Sequence, residues 1–227
     1  MTATCASPPT IGDVMTPSPI ATDAGRPRHT APTHAGRGTR TGARARRTLR
    51  RLALALAIAA VVLAVAGLPV YVFPPQGDPT DADLVYVIGP PQPERLALAT
   101  ALRDTDGQAP LLVSVSQSLQ GRGDPVFDAA HLDICRQHGV SCRSPEPFTT
   151  AGEAKMLTAY AARHEVGKTV VITFTPHVAR TRYIFAKCSA NDVTVVGVDT
   201  DMTFFDWVFQ YAYQTAGFVK AWLTPCP

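Results

Sequence analysis

The residues best suited to chemistry lie in Thr173-Phe174-Thr175-Pro176-His177-Val178-Ala179-Arg180. This stretch leaves an apolar, strand-like run and enters a helix opened by proline in its first turn. At such a junction, backbone N–H groups and the helix dipole favour an anion. His177 and Arg180 are three residues apart and share one face of that turn. A histidine exchanges protons near neutral pH. An arginine grips a phosphate or carboxylate with two parallel N–H groups. Thr175 adds a hydroxyl at the same edge. The plainer reading of His177 is a capping or core histidine, and Arg182 reads as a solvated neighbour.

Thr149-Thr150-Ala151-Gly152-Glu153-Ala154 opens another helix. Thr150 and Glu153 match the first and last positions of a capping box, in which hydroxyl and carboxylate satisfy free N–H groups at a helix start. A purely structural cap is therefore the competing role for Glu153. Glu94 and Arg95 begin a helix after the first strand; Arg95 is a candidate charge partner for a ligand, and Glu94 serves the helix dipole. Ser114 and Ser116 end the second strand, but no G-x-S-x-G surrounds either, so a nucleophile elbow has no support. No G-x-G-x-x-G or P-loop occurs, so a nucleotide role has no motif behind it.

The elements that would position these side chains follow from patterning. Strands are expected over 83–89, 110–116, 169–174 and 193–198. Helices are expected over 93–104, 128–138, 149–165, 176–187 and 204–223. Strands that are apolar throughout and separated by helices predict a parallel sheet covered on both faces. The expected architecture is α/β, a three-layer Rossmann-like domain over 81–227, with ligands bound outside the carboxyl ends of the strands.

Leu52 to Phe73 carries no charge and is long enough to cross a bilayer, which needs roughly 20 helical residues. Arg44, Arg46, Arg47, Arg50 and Arg51 stand just before it, and the first charges after it are Asp78, Asp81 and Asp83. That asymmetry predicts one transmembrane anchor over 48–73, with the N-terminus in the cytoplasm and the domain outside. A cleaved signal peptide competes through Ala64-Val65-Ala66, but the apolar run continues past that site. Gly67 and Pro69 are both tolerated in a membrane helix.

The net charge of +3 comes mostly from the arginine run, which topology and anionic headgroups explain. No aromatic residues interleave it, so no nucleic-acid partner is expected. Residues 1–47 are rich in Thr, Ala, Pro, Gly and Arg and read as a disordered cytoplasmic tail. Four of the five cysteines, Cys135, Cys142, Cys188 and Cys226, follow the apolar segment, where an exported domain can keep disulfides. They permit three connectivities, which sequence does not separate. One of them closes Cys135–Cys142 locally and lets Cys188–Cys226 tie the last helix to the body. No C-x-x-C or paired histidines accompany them, so no metal is assigned.

A strand ending in glycine, then Glu94-Arg95-Leu96, a second strand Leu-Leu-Val-Ser-Val-Ser, Thr150-x-Gly152-Glu153-Ala154, and strand-Thr-x-x-His177-x-x-Arg180 follow in order. This order resembles the YdcF/SanA/ElyC-like family, also called domain of unknown function 218, across about Asp83 to Val198. The resemblance implies a single-span anchor and a setting in cell-envelope biogenesis or maintenance. It also implies a pocket lined by Arg95, Thr150, Glu153, His177 and Arg180. Gly89-Pro90-Pro91 stands where that family has a glycine-rich loop, and Ser114 to Gln117 where Ser-Gly is usual.

The expected function is binding of an anionic ligand, a small molecule or lipid-linked envelope intermediate, without a resident cofactor. As an enzyme, Arg95 and Arg180 would hold the anion, Glu153 would orient His177, and His177 would act as general acid and base. The alternatives are a non-catalytic envelope scaffold and an S-adenosylmethionine-type cofactor binder.

Overall fold

Parallel strands buried on both faces need side chains that are apolar at every position, and three strands have them. In a computed structural model, which describes residues 39–105, 107–116 and 128–227, β1 (Leu84–Val87), β2 (Leu111–Ser114) and the middle of β4 (Lys168–Phe174) are buried. β3 (Val140–Arg143) and β5 (Asp192–Val198) are more open and form the two edges. All five strands are parallel, in the order β3-β2-β1-β4-β5.

Alternate residues of each strand supply opposite cores. Leu84, Tyr86, Leu112 and Val171 pack with Leu157, Tyr160 and Phe185 of α3 (Thr150–His164) and α4 (Val178–Cys188). Val85, Val87, Val113 and Ile172 pack with Ala99 and Leu102 of α2 (Pro93–Thr105). The result is the three-layer, Rossmann-like α/β architecture.

One expected helix does not form. Residues 128–138 make two short 3-10 turns, Ala129–His131 and Asp133–Arg136, and the chain then enters β3, which sequence patterning missed. Asp128 caps the first turn and Leu132 breaks it with extended backbone. Leu132, Ile134, Cys135 and Cys142 pack against the core that holds Leu111 and Val113 of β2. Cys135–Cys142 closes this corner, and Cys188–Cys226 holds the chain end to the last turn of α4, with Cα–Cα distances of 5.6 and 5.4 Å.

Before the sheet, α1 (Thr39–Gly67) continues through a π-helical turn, Leu68–Val72. The helix therefore starts inside the region expected as a tail over 1–47; the rest of that tail lies outside the described residues. Arg44–Val72 is long and apolar enough to cross a membrane. Almost none of it is buried, which separates it from the core helix of a water-soluble domain. The chain divides into a unit ending at Arg50 and one spanning Arg51–Pro227.

The last helix, α5 (Phe204–Leu223), opens with a capping box between Thr203 and Asp206. Its apolarity points the wrong way for a water-soluble protein. Gln214 is fully buried and Gln210 half-buried against the body. Phe204, Phe205, Val208, Phe209, Val219, Trp222 and Leu223 are all exposed, from 51 to 79%.

Candidate functional site

In this strand order the chain reverses direction across the sheet between β1 and β4, and that switch point leaves a crevice beyond the strand ends. A cleft of about 870 Å³ lies there. Arg95, Thr150, Glu153, His177 and Arg180 all line it, together with Gly89, Ser114, Phe174, Gln210 and Tyr213. Thr175 does not: it is buried, and its hydroxyl donates to Asp199.

Arg95 is carried by the first turn of α2 and is 4% exposed. Its Nη1 donates to the Pro90 carbonyl at 2.8 Å, its guanidinium lies 5.1 Å from the centre of the Phe174 ring, and its Nε has no partner. Burial lowers even this guanidinium to a pKa of about 10, against the pull of Glu153 and Glu94. Arg180 stands over the Tyr213 ring at 5.1 Å and reaches His177 with its Nε–H at 3.1 Å. Among the described residues, neither Arg95 nor Arg180 forms an ion pair, whereas Arg136 and Asp133 make an exposed one. Both cleft arginines thus lack a bonded carboxylate.

Glu153 is not part of a capping box. The cap of α3 is Thr149, whose hydroxyl accepts from the Gly152 N–H at 3.2 Å. The Pro147 carbonyl crosses so close to Gly152 that a Cβ there would stand 1.9 Å from it, so only glycine fits. Glu153, released from capping, accepts the Gly89 N–H at the end of β1 at 2.7 Å. Burial pushes its carboxyl up to about 7, against the opposing pull of the Gly89 N–H, the Ser114 hydroxyl, Arg95 and Arg180.

His177 is buried at the junction of β4 and α4. Its Nε2 lies 3.4 Å from the Thr150 hydroxyl, facing the cleft. Its Nδ1 lies between the Arg180 Nε–H at 3.1 Å and the Gln214 Oε1 at 3.2 Å. One ring cannot use both: a bare Nδ1 accepts from Arg180, whereas Nδ1–H donates to Gln214. The imidazole proton therefore has two seats, chosen by where Arg180 points. Burial, then Arg180, then Arg95 lower this histidine to about 3, so the ring is neutral at neutral pH.

Sequence reasoning gave Glu153 the task of orienting His177. Its carboxylate goes to Gly89, and the side chain that holds the ring from behind is Gln214. The signal for Gln214 was available: Gln210 and Gln214 stand four apart in a helix otherwise rich in aromatic residues, and their side chains hydrogen-bond to each other at 2.9 Å.

The fold and cleft together define an α/β domain of Rossmann-like strand order, with two carboxylate-free arginines at its switch point. In comparisons with known proteins, no family model, no curated protein and no solved structure matches the chain.

Proposed function

We propose that this is a membrane-anchored, extracytoplasmic domain whose cleft binds an anionic ligand of the phosphate or carboxylate class, in cell-envelope biogenesis or maintenance. The observation that carries the reading is the pair Arg95 and Arg180: two arginines on one cleft, neither bonded to a carboxylate. Glu153, Asp201 and Asp206 share the cleft with them without bonding to either, and guanidinium groups left free to bond in a partly dry site make an anion worth more there than in water. The envelope setting rests on the motif order shared with the YdcF/SanA/ElyC-like family. The anchor rests on the length and exposure of α1, and the outside location on the arginines before it and the two disulfides.

The two seats of the His177 proton suggest how binding would lead to chemistry. An anion that draws the Arg180 Nε–H away leaves Nδ1–H to donate to Gln214. Nε2 is then bare and faces the ligand as a base. Burial is the main cause of the low basicity of His177 and persists, but the same negative charge offsets the share that Arg180 and Arg95 add. Glu153, poised near neutrality, is the second proton carrier in reach of the cleft. The competing reading is a non-catalytic anion binder, favoured by the low basicity of His177.

Calorimetric titration of the full chain in detergent micelles with inorganic phosphate and pyrophosphate tests the reading. Binding should saturate and should be lost in Arg180→Ala. Equal titrations for wild type and Arg180→Ala would remove the anion site. A reporter active only outside the cytoplasm, fused after Pro227, should be active, and one fused after Arg28 should be silent.

A further inference from the structure

A helix on the surface of a water-soluble protein turns polar residues outward. α5 turns an apolar stripe outward along its length, although Phe218 and Ala221 turn inward and Thr215 and Lys220 are also exposed. Phe204, Phe205, Val208, Phe209, Trp222 and Leu223 face away from the protein, while the fully buried side chain on its inner side is Gln214. Leaving such a face in water is unfavourable in proportion to its apolar area, so something should cover it.

The place where α5 sits says what covers it. The Tyr211 hydroxyl donates to the Ala64 carbonyl at 2.9 Å. Tyr71 pairs with the Thr215 hydroxyl at 2.8 Å, and the Tyr71 and Tyr211 rings meet edge to face at 4.9 Å. Gly67 admits this contact: a Cβ on it would lie 2.1 Å from the Tyr211 ring. Ala64 and Gly67 of α1 and Tyr71 of the π-helical turn that continues it all belong to the apolar stretch Arg44–Val72. The middle of α5 is therefore fastened at the depth of that stretch's last turns. Close approach through a small residue is how helices associate inside lipid.

We propose that the exposed half of α5 is a second membrane-contact surface, bedded in the leaflet from which the C-terminal end of α1 emerges. The inference rests on the reading that α1 spans the bilayer. Asp206 and Lys220 stand in the first and last turns of α5, and Phe204, Phe205, Phe209, Tyr213 and Trp222 give its exposed side large aromatic rings, as suits a helix lying along the headgroup boundary. The cleft wall formed by Gln210 and Tyr213 belongs to this same helix, so the cleft opens beside the lipid surface.

Both tryptophans of the chain, Trp207 and Trp222, lie in α5, so intrinsic fluorescence reports on this helix alone. The full chain is reconstituted in phosphatidylcholine vesicles with native or brominated acyl chains, as wild type and as Trp207→Phe, which leaves Trp222 as sole emitter. Bromine should quench Trp222 at least twofold. Phe205→Glu with Phe209→Glu, both on the exposed face, should restore most of the emission. Carbonate extraction separates the two readings. If the chain stays in the vesicles and Trp222 is unquenched, the α5 proposal is wrong and the anchor stands. If unquenched Trp222 emission is blue-shifted and crosslinked dimers appear, a second copy covers the face and the proposal is equally overturned. If carbonate strips the chain, the anchor fails and takes this inference with it.

Discussion

Helix α2 carries two buried arginines eight residues apart, on one face but at opposite ends of the sheet, and they live under different rules. Arg103, 5% exposed, donates its Nε–H to the Ala109 carbonyl at 2.8 Å and an Nη2–H to the His138 carbonyl at 3.2 Å. It stitches the loop before β2 to the turn before β3. Arg95, equally buried, has one good carbonyl contact, an unpartnered Nε and an open cleft in front of it. The same residue type is spent on architecture where the strands begin and held in reserve where they end. Burial does not distinguish the two arginines; an unpartnered Nε beside a cavity is what makes Arg95 the candidate.

The largest effect should come from the structural partner. Arg103→Ala strands two carbonyls and leaves a void, and should cost about 3 kcal/mol or more in chemical denaturation. Phosphate affinity per folded molecule should be unchanged. A stable Arg103→Ala protein would dissolve the contrast between the two ends.

Glu153 and His177 give the cleft end a pH signature. Glu153 rises from 4.5 to about 7 on folding, so its stabilising contribution is full below pH 4.5 and is lost as pH rises toward 7. His177 falls from 6.5 to about 3, so its contribution is present above pH 6.5 and is lost as pH falls. Between pH 4.5 and 6.5 the two slopes oppose, and wild-type stability should be nearly level. Glu153→Gln removes one slope. The variant should gain stability with rising pH across that window, by on the order of 2–3 kcal/mol. A level profile for the variant would mean that the two groups do not titrate as their surroundings dictate.

Arg95→Met should show the mirror image of Arg103→Ala. A buried charge without a carboxylate partner stabilises little, so the unfolding free energy should change by about 1 kcal/mol or less. Anion affinity should fall roughly tenfold or more, which corresponds to one charged hydrogen bond of about 1.5–3 kcal/mol. Unchanged phosphate titration would place Arg95 with Arg103. The smallest effect sharpens the neighbouring helix start: Thr149→Ala should cost about 1 kcal/mol as a lost cap, whereas Thr150→Ala should leave denaturation almost untouched.

These contrasts also mark where sequence reading works. β1, β2 and β4 were legible because central parallel strands must be apolar, and the edge strand β5 because Val193, Val195, Val196 and Val198 keep its run apolar; the cleft residues followed because ligands gather at strand ends. β3 was not legible. An edge strand covered on fewer sides tolerates Ser141 and Arg143, and its short run, Val-Ser-Cys-Arg, has no apolar continuity. The helix expected over 128–138 failed because helical spacing of Leu132 and Cys135 also suits two tight turns pinned by a disulfide. Thr149 and Thr150 are adjacent hydroxyls of equal capping ability, and only packing decides which turns toward the helix and which toward the histidine. Gln117, the last residue of the segment that departs from the family's Ser-Gly, lies outside the described residues.

The Gly67–Tyr211 contact bears on how the protein can be handled. A shortened chain starting at Asp81 keeps the sheet, the cleft and both disulfides, and would look like a sensible soluble fragment. It strips Ala64, Gly67 and Tyr71 from α5, however, and so bares the flank around Tyr211 and Thr215 beside a half-helix of exposed aromatics. Such a fragment should self-associate in plain buffer and disperse in mild detergent, with the cleft wall at Gln210 and Tyr213 loosened in the process. Preparations that retain the helix before the domain should therefore be the ones in which the cleft keeps its shape.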